Sequence, residues 1–259
     1  MSDRYDLPEE IQVEIDGPVR IVRFNRPDDL NATNHVLHKA IADVFPQLDA
    51  DPDARAAVVT GNGRAFSAGG DFGYLDQLVN DTALRRETIS DGRRLVTGMV
   101  ACRLPIVAAV NGPAVGLGCS IAALSDIVYM AESAHFADPH VLVGLVAADG
   151  AAITWPLLTS LQLAKEYALT GERIPARRAA EIGLANHVVP DGEVLDQALA
   201  CAHRIARLPR QATQDTKRVL NMHLERAVLA TLDFAFAAED RSFTSPEVRA
   251  NLDRFLERQ

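Results

Sequence analysis

The feature that most constrains the fold is a stretch of 22 residues, 104–125, without a single charged side chain. A run of that length is enough for a bilayer-spanning helix. Yet Asn111-Gly112-Pro113 cuts it in the middle, and Gly116 and Gly118 follow closely. Breakers so placed make it a buried strand, a tight turn and a helix entered through glycines. Both apolar pieces need surroundings to be buried against, and 259 residues at 48% hydrophobic and 24% charged supply them. The length fits one large domain, or one domain with a smaller appendage.

Charge and cysteine content narrow the function classes. The formal net charge is −9, the wrong sign for a surface that holds nucleic-acid phosphates without regard to sequence. Cys102, Cys119 and Cys201 are widely spaced and form no Cys-x-x-Cys, which argues against a disulfide framework and a structural zinc site. His35 and His38 are expected on a partly exposed helix face, and no His-x-x-x-His motif carries a glutamate, so no metal is expected. The acidic, polar start, residues 1–6, does not read as a secretory signal. The expected compartment is the cytoplasm, with neither membrane nor nucleic acid as partner.

Residues 13–24 alternate around Asp16-Gly17 as a β-hairpin does. Asn34 is placed to cap a helix whose apolar face is Val36, Leu37, Ala40, Ile41, Val44, Phe45 and Leu48, kinked or ended by Pro46. Residues 56–60, 106–110 and 127–130 read as short buried strands, 82–103 as a helix with solvated arginine pairs (Arg85-Arg86, Arg93-Arg94), and 116–124 as a helix entered through glycines. Residues 151–161, 163–169, 176–182, 194–208 and 213–238 read as helices, with a short strand at 187–189 and stops at Pro209 and Pro246. Strands alternating with helices, then a run of helices, predict an α/β core with a helical C-terminal part. The charged amphipathic tail beyond Pro246 cannot bury its apolar side alone, so it is expected to dock or to oligomerise.

Three places can carry chemistry. In Ala65-Phe66-Ser67-Ala68-Gly69-Gly70-Asp71, small residues before two glycines leave backbone N–H groups uncovered, a turn able to hold an oxyanion; the plainer reading is a corner with Asp71 as a helix cap. Asn111-Gly112-Pro113-Ala114-Val115-Gly116-Leu117-Gly118-Cys119 brings a second set of free N–H groups to a helix start. Neither fits the dinucleotide fingerprint Gly-x-Gly-x-x-Gly, and no Walker A sequence occurs. The third place is His140 with Asp149: a carboxylate bonded to one imidazole nitrogen raises the basicity of the other and makes a general base. Its plainer reading has His140 lining a loop and Asp149 capping the next helix.

Taken in order, these motifs resemble the enoyl-CoA hydratase/isomerase (crotonase) superfamily. The resemblance runs from Val13 to the C-terminus. It rests on Asn25-Arg26-Pro27-x-x-Leu30-Asn31-Ala32, Ala65 to Asp71, Pro105-Ile106-Val107-Ala108-Ala109-Val110-Asn111-Gly112, Gly116-x-Gly118-Cys119 and Ser125-Asp126-Ile127. It implies an α/β fold, a spiral ββα core (residues 1–195) with a C-terminal helical oligomerisation region (196–259) that forms trimers or dimers of trimers. It also implies that the N–H groups of Ala68 and Leu117 form an oxyanion hole for an acyl-CoA thioester. Arg26, Leu30, Ala32, Ala68, Gly69, Gly70, Asp71 and Gly116 would line the coenzyme A and substrate site, with Phe255 and Arg258 reaching a neighbouring subunit's coenzyme A. Coenzyme A enters as part of the substrate, no cofactor is permanently bound, and the setting is fatty acid metabolism.

By motif alignment, Ser120 and His140 stand where hydratases of the superfamily carry two glutamates. The His140/Asp149 pattern, with Gly150-Ala151 and Trp155-Pro156 following, is similar to 6-oxocamphor hydrolase, a relative that cleaves a carbon–carbon bond in a cyclic β-diketone. That relative has altered oxyanion-hole glycines, whereas Gly116 and Gly118 are kept here. The reading that results is an acyl-CoA enzyme working through a stabilised enolate, with proton transfer by His140 oriented by Asp149. Three alternatives stand beside it: a β-diketone hydrolase, a serine hydrolase built on the near-elbow Ala65-x-Ser67-x-Gly69, and a non-catalytic family member.

Overall fold

The computed structural model describes residues 4–257, without the side chains of residues 255 and 256. The turn at Asp16-Gly17 forms as the alternation requires: β1 (Ile11–Asp16) pairs antiparallel with β2 (Val19–Phe24). Asn34 accepts from Leu37 N at 2.9 Å and starts α1 (His35–Ala50). This helix runs through Pro46 instead of stopping there. Leu48 beyond it is fully buried, and the Pro46 ring lies against Gly98 of the facing helix, so packing holds the last turn despite the missing N–H.

The chain continues through β3 (Ala56–Gly61), α2 (Phe72–Asn80), α3 (Thr82–Ala101), β4 (Ile106–Val110), β5 (Ala114–Val115), α4 (Leu117–Leu124), β6 (Ile127–Ala131), β7 (His135–Ala137) and α5 (His140–Val143). Then follow α6 (Ala151–Leu158), α7 (Leu161–Thr170), β8 (Ile174–Pro175), α8 (Ala176–Ile182), β9 (His187–Val189), α9 (Val194–Ala206), α10 (Arg210–Ser242) and α11 (Pro246–Leu256). The break between α6 and α7 comes from Ser160, whose hydroxyl caps α7 by accepting from Leu163 N.

Two sheets result. One has the order β1-β2-β3-β4-β6-β9 and is parallel after the opening hairpin; the other is the short β5-β7-β8. Every residue of β3 and β4 is buried, as expected where helices cover both faces of a parallel sheet. The helix α9 packs on β3, β4 and β6, and α10 lies along α3. The tail finds its apolar partner inside the same chain: Val248 and Leu252 of α11 join Tyr74, Leu78, Val143 and Phe243 in a second, smaller core, and Arg249 reaches Asp76 at 2.6 Å. Among the described residues no helix is long and apolar enough to cross a membrane. The charge-free run is β4, β5 and α4, as the breakers dictate.

Candidate active site

The two glycine turns meet because strand pairing carries on past the sheet. Ser67 bridges Ala114 and Thr33 bridges Gly70, each in parallel sense. Two asparagine side chains fix the loops behind them: Asn31 donates to Asn62 O and Ala65 O at 2.9 and 2.8 Å, and Asn111 donates to Gly61 O and Gly63 O at 3.0 and 2.9 Å. The contact between the turns needs glycine. Gly69 has φ +90° and a Cβ there would lie 3.0 Å from Val115 O; one on Gly116, at φ +52°, would lie 3.8 Å from Gly69 Cα and 3.6 Å from His140 Cε1. Gly69, Gly116 and His140 thus share one corner.

Leu117 is the first residue of α4, where an N–H has no acceptor inside the helix and lies at the positive end of the dipole. The Ala68 N–H differs from the open donor expected of it: it donates to Leu30 O at 3.0 Å. Leu30 and Asn31 both adopt left-handed conformations at φ 55°, a cost of about 1–2 kcal/mol each for residues with a Cβ. That strained corner is what brings the Leu30 carbonyl to Ala68. Arg26 holds it in place, contacting Ala32 O and bonding Asp29 at 2.6 Å, with Asp71 at 3.6 Å. Arg26, Leu30, Ala32 and residues 68–71 therefore do come together. Asp71 also caps α2, accepting from Tyr74 N at 3.0 Å. Arg258 lies outside the described residues, and so does the side chain of Phe255.

His140 opens α5 directly after Asp138-Pro139. Its partner on Nδ1 is Asp138 rather than the expected Asp149; Oδ1 of Asp138 makes a short contact there. Asp149 stands on the other side, with Oδ2 3.8 Å from Nε2, while its Oδ1 accepts from Ser120 Oγ at 2.7 Å. Asp149 does not cap α6, whose N-cap is Gly150. Burial alone pulls the His140 pKa down, but the charges of Asp138 and Asp149 outweigh it and raise it to about 10. At neutral pH this ring is an imidazolium, so in the resting site it gives a proton before it can take one. Burial likewise raises the Asp149 pKa, with His140 opposing.

A third acid completes the cluster. Glu239 of α10 is buried and lines the same cavity; burial pushes its carboxyl up to about 8 against the pull of His140, so it is neutral at pH 7. The sequence signal for Glu239 was an acid on a buried helix stripe, since Leu232, Ala235 and Phe236 precede it at helical spacing and are all buried. Asp138 was visible only as a carboxylate two residues before His140 across a proline.

The cavity encloses about 390 Å³ and is walled by both turns, His140, Asp149 and Glu239, and by residues of α1, α2 and α3. His38, partly exposed on α1 as expected, also lines this cavity. Arg85, expected on a solvated face, is buried; its Nε donates to Asp240 at 2.7 Å and its Nη1 to Leu78 O at 2.9 Å. Ser67 is buried too, and its Oγ donates to Asn31 O at 2.8 Å with no histidine in its hydrogen bonds. Nothing there activates it as a nucleophile.

Known proteins share this fold. The enoyl-CoA hydratase/isomerase family description matches residues 14–259. The 2,3-dehydroadipyl-CoA hydratase of Escherichia coli (strain K12) is 34% identical over 238 residues, 91% of this chain and 89% of that one. A crystal structure of an enoyl-CoA hydratase/isomerase from Mycobacterium paratuberculosis superposes with a TM-score of 0.95 at 62% identity, covering 96% of this chain and 100% of that chain. A β-diketone hydrolase from Anabaena sp. PCC 7120, solved with (S)-3-oxocyclohexyl acetic acid, superposes with a TM-score of 0.87 at 26% identity, covering 94% and 98%.

Proposed function

The chain belongs to the enoyl-CoA hydratase/isomerase family, and from that premise we propose that it adds water to an α,β-unsaturated acyl-CoA, or removes it, through a thioester enolate whose proton is handled by His140. The observation that carries the proposal is the seat of the His140 ring: between two aspartates, and against Gly116 where the two turns abut. A thioester oxygen placed in that corner meets the Leu117 N–H, and the Ala68 N–H once it displaces the Leu30 carbonyl. Fixed donors aimed at a developing oxyanion contribute about 3–4 kcal/mol each.

The proton inventory closes. Asp149, positioned by Ser120, accepts a proton from water as the oxygen bonds to C3 of the substrate. The enolate then takes the His140 proton at C2. Transfer from Asp149 to Nε2, 3.8 Å away, restores the start, and the net change is one water added across one double bond. Arg26, Leu30, Ala32, Gly69, Gly70 and Asp71 shape the entry for coenzyme A. Because Arg26 is already bonded within its own loop, it acts by holding that loop. The exposed apolar residues Leu229 and Phe234 of α10 are where copies would meet in a homotrimer or a dimer of trimers. A panel of enoyl-CoA esters assayed with the parent and His140→Ala tests the reading. Loss of turnover by about 10²–10⁴-fold in the variant is expected, and turnover that survives the replacement rejects it.

A second reading is favoured by Glu239, an acid kept neutral beside His140, and by the Ala68 amide already having an acceptor. In hydrolysis of a β-diketone, Asp149 activates water for attack on one carbonyl. The carbon–carbon bond breaks to an enolate, and Glu239 or His140 protonates it. Turnover of a cyclic 1,3-diketone without coenzyme A selects this reading over the first.

A further inference from the structure

We infer that Glu239 is a specificity-determining residue of the cavity: as a neutral acid it donates a hydrogen bond to a second, uncharged oxygen, a ketone above all, carried by the acyl group close to its reacting carbons. The inference rests on the acyl-CoA reading and narrows its substrate class.

The direction of the side chain follows from the helix. Phe236 and Glu239 of α10, and Phe243 just after it, recur at helical spacing, and all three line the cavity. Glu239 is only 8% exposed, yet its carboxyl makes no hydrogen bond among the described residues. Unlike Asp138 Oδ2, its oxygens are not fully shielded, so they open into the cavity that Glu239 lines. The polar groups nearby are engaged already. Tyr74 Oη contacts Thr88 Oγ1, and the Arg85 guanidinium donates to Asp240 and Leu78 O at 2.7 and 2.9 Å. An unpaired acid in a buried wall opposes folding, so it calls for a partner that the chain does not supply.

Counting charges puts a proton on that acid. Asp138 and Asp149 flank the single His140 ring, Asp240 is paired with Arg85 of α3, and α6 brings no titratable side chain. Even with His140 charged, these groups sum to one negative charge before Glu239 is counted. Asp149 has the Ser120 hydroxyl and Asp138 has His140 Nδ1, whereas no donor reaches Glu239. A further charge there would be buried without donor or counter-ion, so Glu239 keeps its proton. Burial raises its pKa to about 8, with His140 opposing and the charges of Asp149, Asp138 and Asp240 assisting. A protonated carboxyl has one O–H to give. It meets a ketone oxygen as a donor and offers an ammonium no charge, while Asp138 and Asp149 repel a carboxylate.

The test compares three enoyl-CoA esters of equal length: plain, with an oxo group just beyond the double bond, and ending in an ammonium. Each kcat/KM is scaled by the ester's uncatalysed hydration rate and measured in the parent, Glu239→Gln and Glu239→Leu. At neutral pH the parent is expected to favour the oxo ester over the plain one about tenfold, the worth of one hydrogen bond, with no gain for the ammonium. Glu239→Gln keeps that ratio through its amide N–H, and Glu239→Leu brings it to about one. At about pH 9 the ionised acid no longer donates, so the ratio falls in the parent and holds in Glu239→Gln. A second readout needs no turnover: a saturated acyl-CoA with 13C at its oxo carbon is expected to show a downfield shift on binding the parent but not Glu239→Leu. Equal rates on the plain and oxo esters, a preference that survives Glu239→Leu, a preference for the ammonium, or an unmoved 13C signal in the parent overturns the inference, while turnover of the plain ester leaves the acyl-CoA reading standing. If the parent turns over no thioester, that reading fails, and the 13C shift alone decides the subsite.

Discussion

Two buried charge clusters in this molecule are built from similar residues and do opposite things. At the sheet edge, Asp51 receives hydrogen bonds from Arg20 Nε, Tyr5 Oη, Arg4 Nη1 and the backbone N of Asp53, at 2.7, 2.5, 2.9 and 3.0 Å, and Arg20 is further tied to Gly17 O. Every lone pair of that carboxylate has a donor. In the cavity, by contrast, Asp138 Oδ2 is buried without a partner, Asp149 Oδ2 stands 3.8 Å from His140, and the Glu239 carboxyl makes no hydrogen bond among the described residues. A saturated cluster locks a chain segment in place. An unsaturated one keeps protons mobile, which is what an acid–base site requires.

Substitution in each cluster breaks the comparison in a different observable. The largest effect is expected from His140→Gln, with kcat lower by about 10²–10⁴-fold. Asp51→Ala should leave kcat intact but cost about 3–5 kcal/mol in urea unfolding, because Arg20 remains buried without its counterion.

Acid unfolding comes next. Burial favours the neutral form of Asp51, but the bonds from Arg20, Tyr5 and Asp53 N prevail and lower its pKa from 3.8 to about 2. Its stabilisation, about 2 kcal/mol, is present above pH 3.8 and is lost as the pH falls through 2. The His140 cluster titrates in the other direction. Its stabilisation is full below pH 6.5 and is lost as the pH rises through 10, and Glu239, held neutral in the folded chain up to about pH 8, adds a loss that accrues between 4.5 and 8. Stability measured from pH 2 to 10 separates the two limbs, and Asp51→Asn should flatten the acid one only. The smallest effect is expected for Ser120→Ala, about tenfold in kcat, since it frees one oxygen of Asp149 without removing a charge.

The same contrast explains what was legible in the sequence. The hairpin at Asp16-Gly17, the Asn34 cap and the β4 boundaries follow from local chemistry, and the structure reproduces them. The helix α2 was hidden because the small core that its Tyr74 and Leu78 join is completed by Val143, Phe243, Val248 and Leu252, from far along the chain. The strands β5, β7 and β8, two or three residues each, are too short for any period to show. Within the site, the pairing of His140 with a carboxylate was readable, but which carboxylate takes which nitrogen was not. Asp138 follows from a proline turn, and Glu239 and His38 reach the cavity only through helix packing that one chain position does not reveal.

The proposed chemistry turns on His140 as a proton donor held by two aspartates. The most direct measurement is a 13C/15N NMR titration of the His140 ring in the parent and in Asp149→Asn. A midpoint near pH 10 is expected in the parent, moved to lower pH when the Asp149 charge is removed. A parent midpoint near the ordinary histidine value of about 6.5, unmoved by the substitution, would contradict it.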